Sequence, residues 1–186
     1  FAPDHAVAHV WSMVITATGD LLCASDESPG VRRLSVAGTT DQGFNAGTGG
    51  NSSITLVDRT VDGKFLAYGH LLHRFNGSRA NGLVRFNASG VLDPGFNSGA
   101  GFFDKYVYDM LPMPDGRIIV VGDFTRYQGS PRKAIVRLLP DGSIDPLFNV
   151  DMSQTAVWPY DHTIESCTLQ ADGGLLICGH FNQVNG

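Results

Sequence analysis

The feature that most constrains this chain is a repeat. "DQGFN" occupies residues 41–45, "DPGFN" 93–97 and "DPLFN" 145–149, a step of 52 residues both times. Arg33, Arg85 and Arg137 keep that step, as do Leu34, Phe86 and Leu138, and Gly38, Gly90 and Gly142. A fixed period of this length marks solenoids, propellers and arrays. In those folds each unit is one supersecondary motif that buries its apolar face only against its neighbours. A plain sandwich gives no reason for such a period.

A second signature precedes each of these. "TGDLLCAS" starts at Thr18, "DGKFLAYGH" at Asp62, "DGRIIVVGDF" at Asp115 and "DGGLLICGHF" at Asp172. A third follows it in three units: "GHLLHRFNG" from Gly69, "GDFTRYQG" from Gly122 and "GHFNQVNG" from Gly179. The first unit carries "ASDESPG" instead and is shorter. The units run approximately 1–45, 46–97, 98–149 and 150–186, the last partial. Phe1 fits the place of Phe44, Phe96 and Phe148 in a unit that would come before. The expectation is an excerpt of a longer array, about three and a half units long.

The third unit reads as strands and turns. "KYVYDMLPM" mixes apolar and β-branched residues, as a strand does. Residues 114–116, Pro-Asp-Gly, form a turn: Pro presets its first position and Gly takes the left-handed one. "RIIVVGDF" is a short continuous apolar run, hence a buried strand. "TRYQGSPR" reads as a loop, "KAIVRLL" as an alternating strand, and "IDPLFN" as a short edge strand or turn. No segment sustains a 3.6-residue apolar period, and the 23 glycines are scattered, as a turn-rich chain requires. Short strands in units of about 52 residues point to an all-β, β-propeller array. A β-solenoid-like array is the alternative, although its rungs are usually shorter.

The signature resembles the delta-60 repeat family of β-propeller repeats. The residues that carry the resemblance are Asp115 to Phe124, Gly129, Val136 to Leu138 and Asp141 to Asn149. It extends over most of the chain and is weakest in the first unit. It implies a propeller, and a setting in large bacterial surface or secreted proteins or in phage structural proteins. It implies no activity.

The carboxylates of "LPDGSIDPLFN" raise the question of a metal loop. Asp141 is replaced by Ser89 and Ala37 in the sister units, and the D-x-[DN]-x-[DN]-G spacing of a calcium loop is absent. Asp41, Asp93 and Asp145 recur, and Pro follows two of them. That fits the first position of a β-turn, whose carboxylate accepts backbone N–H bonds, with Phe44, Phe96 and Phe148 as apolar plugs. The recurring Arg and Asp admit two readings: an ion pair that holds each turn, or an Arg exposed on an edge strand.

Other chemistry is sparse. His70 and His180 hold the place of Asp123, which suits turn capping. His70 and His73 lack the partners that a zinc site needs. Carrying the Pro-Asp-Gly loop onto the fourth unit sets Cys167 opposite Ile177 and turns Cys178 to the other face. The expectation is free, buried thiols, not a disulfide. Nucleophile-elbow, P-loop and dinucleotide patterns are missing. No catalytic, cofactor or metal residue is assigned. Net charge is −5 with no basic run, so nucleic acid loses its electrostatic footprint, and no apolar run reaches the ~20 residues of a membrane helix. Trp11, Tyr106, Tyr108, Tyr127, Trp158 and Tyr160 are candidate binding-face aromatics. Trp158 and Tyr160 stand out because they lie in an insertion.

These features suggest a non-enzymatic structural or recognition module of a large assembly, such as a phage tail, a virion appendage or a bacterial surface protein. Protein partners, homo-oligomers and a host-surface glycan are the expected contacts, on a virion or at the cell surface. The alternatives are a carbohydrate-active hydrolase or lyase, which needs converging carboxylates of separated pKa, and a lectin with exposed aromatics at equivalent places.

Overall fold

The structure, a computed structural model, describes residues 9–44, 47–97, 99–102, 105–152 and 163–185. It divides into two compact units, Phe1–Ser98 and Gly99–Gly186.

The first unit holds two antiparallel meanders. β1 (Val10–Ile15), β2 (Leu21–Ser25) and β3 (Val31–Leu34) form one. β4 (Leu56–Arg59) and β5 (Phe65–Tyr68) form the other with β8 (Leu83–Phe86). Between β5 and β8 the chain makes a small hairpin of β6 (Arg74–Phe75) and β7 (Ser78–Arg79). The two meanders pack face to face. Leu22 and Ala24 of β2 meet Val57 of β4 and Ala67 of β5 in one core with Phe65, Phe75 and Phe86. Phe86 is the hub: the Phe44, Phe65 and Phe75 rings lie 6.0, 5.9 and 5.9 Å from it.

The second unit repeats the plan. β9 (Val107–Pro112), β10 (Ile118–Gly122) and β13 (Ile135–Leu138) form a meander. β11 (Arg126–Tyr127) and β12 (Ser130–Pro131) form the inserted hairpin, and β14 (Thr163–Leu169) pairs with β15 (Leu175–His180). Ile119 and Val121 pack on Cys167, Leu175 and Ile177. Each three-stranded meander ends in a single bridge where a fourth strand would begin: Leu34 to Thr40, Phe86 to Leu92, Leu138 to Ile144.

One turn chemistry builds every meander. In the Thr60–Lys64 turn, Gly63 N–H donates to Thr60 O at 3.0 Å and Thr60 N–H to Lys64 O at 2.9 Å. The same pair of bonds closes the turns at Gly19, Gly116 and Gly173, and those at Gly38, Gly90 and Gly142. All seven glycines have φ between +79° and +90°, a region where an L side chain is strained. This three-residue loop sets Cys167 opposite Ile177, as the sequence predicts.

The chain is therefore all-β and of β-propeller type, and the β-solenoid reading is set aside. Antiparallel meanders with tight hairpins are not the parallel rungs of a solenoid. Three expectations need correction. "TRYQGSPR" is a hairpin rather than a loop, because Gln128 (φ 50°) and Gly129 (φ 77°) make the double left-handed turn that suits two-residue hairpins. Tyr127 is fully buried and is no binding-face residue: its hydroxyl donates to Gly142 O at 2.8 Å. Of the three free thiols, Cys23 and Cys167 are buried but Cys178 is exposed. Burial pushes the Cys167 thiol up to about 12.

Candidate functional site

The recurring charges come first, because they prove to be structural. Arg33, Arg85 and Arg137 each hold the aspartate that follows in their repeat. Arg33 pairs with Asp41, while Arg85 Nε and Arg137 Nε donate to Asp93 and Asp145 at 2.8 Å in both cases. The other oxygen of each carboxylate accepts the N–H of Gly43, Gly95 or Leu147 at 2.7–2.9 Å. The guanidinium also lies over the phenylalanine that ends the turn: Phe44 at 5.4 Å, Phe96 at 4.9 Å, Phe148 at 4.6 Å. Each repeat thus closes with an Arg clasped between a carboxylate and an aromatic ring. Phe44 is buried, and Phe96 and Phe148 are half-buried. The carboxyls are held below their usual range. Arg33 does this for Asp41 and the Leu147 N–H leads for Asp145. At Asp93 burial opposes ionisation but is outweighed by Lys64, the Gly95 N–H and Arg85.

A different set of side chains is partly or fully open to solvent. It gathers where the first strand of a meander begins and the second ends. The turn glycines 19, 63, 116 and 173 give the register. Eight residues before them stand Trp11, Thr55, Tyr108 and Glu165, and seven residues after them Asp26, His70, Asp123 and His180. Trp11 and Tyr108 are thus equivalent exposed aromatics, with Asp26 and Asp123 at equivalent places after the turn.

In the first unit, His9 and Asp26 join across the strand ends, Nδ1 to Oδ2 at 3.0 Å, and Trp11, on the same strand end as His9, is 60% exposed. In the second unit, the Tyr106 and Tyr108 rings stack at 6.4 Å and 17°. Tyr106 N–H donates to Asp123 Oδ1 at 2.7 Å, and Lys105 Nζ stands 3.9 Å from the other oxygen. Burial and the Asp123 carboxylate together raise the Tyr108 phenol above its ordinary value. On the adjoining sheet, His180 Nδ1 lies 3.3 Å from Glu165 Oε1. Exposed aromatics with flat apolar faces, flanked by carboxylate acceptors, can stack on a ring and bind hydroxyls at its edge.

Close backbone approach fixes this end of three of the four sheets; the first has Ser25 at the equivalent position. A Cβ on Gly69, Gly122 or Gly179 would fall 2.1–2.2 Å from the carbonyl oxygen of Ser53, Tyr106 or Thr163. In these three sheets only glycine lets the second strand pass so close. Side chains also tie adjacent first strands together. Ser12 Oγ bonds the Val57 backbone at 3.2 Å, and Asp109 Oδ2 accepts Ser166 Oγ at 2.8 Å and Cys167 N–H at 3.0 Å. Ser12 and Asp109 both stand seven residues before their turn glycine.

Of the aromatics marked in the sequence, the structure thus exposes Trp11, Tyr106 and Tyr108 and buries Tyr127. Trp158 and Tyr160 lie outside the described residues. Asp141 accepts Ser143 N–H at 2.9 Å and Ser143 Oγ at 2.6 Å, which is turn chemistry. Among the described residues no group of three or more His, Cys, Asp or Glu is placed to hold a metal ion. The equivalence of Trp11 and Tyr108 was missed in the sequence because the first unit is short. Counting from the turn glycines would have found it.

Two stretches, residues 62–96 and 114–148, match the model of a β-propeller domain of unknown function, DUF5122. They hold the turn and clasp of the second and third repeats. No curated protein matches the sequence. Among solved structures, the chain is similar to a catalytically inactive virginiamycin B lyase from Staphylococcus aureus with quinupristin, at TM-score 0.52 and 16% identity, over 90% of this chain and 48% of that one. A protein of unknown function from Bacteroides caccae gives 0.46 and 16%, over 71% and 46%. Selenomethionine-substituted virginiamycin B lyase from S. aureus gives 0.46 and 12%, over 95% and 65%. The chain spans about half the length of the first two. With meanders, hairpins and clasp repeating in step, this chain is built of repeats of the β-propeller type.

Proposed function

We propose that the chain is a non-enzymatic recognition module of a larger assembly. In this reading its repeats are of the delta-60 type, and its sheet ends present aromatic platforms to a polyhydroxylated ligand such as a surface glycan. A virion appendage or a bacterial surface protein is the setting that suits it. The observation that carries the reading is the equivalence of Trp11 and Tyr108: exposed aromatics at the same repeat position, with Asp26 and Asp123 at equivalent places after the turn. Repeated low-affinity platforms on one scaffold gain strength from multivalency, which a repeat protein supplies at no extra design cost.

The clasp takes the recurring carboxylates out of a glycosidase-type role, which favours the binding reading. A glycoside hydrolase of the usual kind needs a carboxyl kept protonated near neutral pH beside an ionised one. Asp41, Asp93 and Asp145 are instead pulled down and engaged in turns.

The test is an array of defined oligosaccharides probed with the chain and with Trp11→Ala/Tyr108→Ala. Both residues are exposed, so the variant keeps its fold, checked by circular dichroism. Binding that disappears in the variant supports the reading. An array without binding, or binding that the variant retains, overturns it.

A further inference from the structure

The positive charges of this chain sort into two groups. The clasp arginines, Lys64 and Arg117 stand against clasp or turn carboxylates, and Arg32 and Lys105 pair with Glu27 and Asp123. Among the described residues the remaining Lys and Arg side chains pair with no carboxylate. Arg59 is one of them, on β4. All the others, Arg74, Arg79, Arg126, Arg132 and Lys133, lie on the two inserted hairpins or directly after them. The sequence shows why. No Asp or Glu occurs between Asp62 and Asp93 or between Asp123 and Asp141, and each of these stretches holds a hairpin and its clasp arginine. The acceptors that the hairpin arginines find are neutral. Arg74 Nη1 donates to Gly77 O at 2.9 Å, and Arg126 Nη1, at the same place on its hairpin, donates to Gly129 O at 3.2 Å. Arg79 Nε donates to Asn81 Oδ1 at 2.9 Å and Arg132 Nη1 to Pro131 O at 2.7 Å. A neutral acceptor orients a guanidinium without cancelling its charge. Arg74 and Arg79 are moreover register partners across their hairpin, and like charges directly opposite each other destabilise a strand pair. Arg74, Arg79, Arg126 and Lys133 are exposed, and both hairpins lie within continuously described stretches, 47–97 and 105–152.

We infer that the two inserted hairpins are anion-binding arms, and that the ligand of this recognition module is an acidic glycan whose sulfate or carboxylate groups dock on the hairpin arginines. The inference rests on the glycan reading above and adds the charge of the ligand to it. The guanidinium fork matches the oxygens of a sulfate or carboxylate two at a time. An anion held between Arg74 and Arg79 also relieves their mutual repulsion. The chain as a whole does not supply this preference, since at a net charge of −5 it repels anions. In salt of roughly 0.1 M, however, a charge is felt over only about 10 Å, so a cationic hairpin attracts locally what the whole repels. The arms belong to the second and third repeats. The fourth has Gln183 where Arg74 and Arg126 stand, and the first joins β2 to β3 without a hairpin.

The test repeats the oligosaccharide array with each neutral glycan beside its sulfated and its uronic-acid form, and with polyglutamate as a polyanion without sugar. It compares the whole chain with Arg74→Gln/Arg79→Gln, with Arg126→Gln/Lys133→Gln, and with Arg59→Gln, which removes an unpaired charge away from the hairpins. All five residues are exposed, and circular dichroism checks each fold. The acidic forms are expected to bind in preference to the neutral ones, roughly tenfold more weakly in either hairpin variant and unchanged in Arg59→Gln. Wild-type binding to them is expected to fall as sodium chloride is raised. Acidic binding that the hairpin variants keep, that Arg59→Gln loses equally, or that salt leaves unchanged overturns the inference. So does polyglutamate bound as tightly as the acidic glycans. Binding of the neutral forms alone overturns it and leaves the recognition reading standing. Acidic binding lost in the hairpin variants but kept in Trp11→Ala/Tyr108→Ala upholds it and overturns the aromatic platforms. An array without binding overturns both.

Discussion

Replacing Arg85 by alanine tests the clasp where it is best enclosed. Arg85 is 8% exposed. Its Nε donates to Asp93 at 2.8 Å and its guanidinium lies 4.9 Å from the centre of the Phe96 ring. A hydrogen bond to a charged group contributes about 1.5–3 kcal/mol, and a cation over a ring about 0.5–2 kcal/mol. Abandoning a buried charge outright costs about 3–5 kcal/mol, but Asp93 is not abandoned, since Lys64 Nζ stays 2.9 Å away and the Gly95 N–H still donates. The expected loss is therefore about 2–3 kcal/mol, a fall in Tm of roughly 4–12 °C for a chain of this size. Urea unfolding followed by circular dichroism measures it. Arg59→Ala, at an exposed β4 position of the same unit, is the control and stays within about 0.5 kcal/mol. A cycle with Asp93→Asn separates the ion pair from the ring contact. If Arg85→Ala costs no more than Arg59→Ala, the clasp is decorative, and the account of why Arg, Asp and Phe recur together fails.

Gly122→Ala is expected to cost more than an ordinary strand substitution, about 1–3 kcal/mol or above, because its Cβ would meet the Tyr106 carbonyl at 2.1 Å and neither backbone can yield. A urea midpoint within error of the wild type would show that the strand ends have room. Acid is a further probe. The clasp carboxyls lie below their unfolded values, so their contribution is present above pH about 5 and is lost as pH falls through about 4 and below. A Tm that holds steady or rises over that interval contradicts it.

Repeat chemistry was legible in the sequence because it is local. A Pro-Asp-Gly or Asn-x-x-Gly turn depends on a few consecutive backbone angles, and the Cys167 to Ile177 register follows from the turn length alone. The inserted hairpin was equally local, and Asn76-Gly77 was its signal (φ 51° and 76°), but the Gln128-Gly129 version disguised it. The Arg–Asp pairing could be posed but not decided, because eight residues of chain reversal separate the partners and a side chain can point to either face.

By itself, then, the sequence determined the period, the strand and turn grammar, and the all-β class, since these depend on neighbours along the chain. Only the tertiary structure decided which copies of a repeated residue are covered. Met13 and Met110 occupy the same repeat position, yet one is open and the other enclosed. Tyr127 and Tyr108 were alike as candidates until packing buried the first and left the second at the sheet end. Burial depends on what a sheet packs against, and a repeat gives every copy the same local code while leaving its neighbours to the fold.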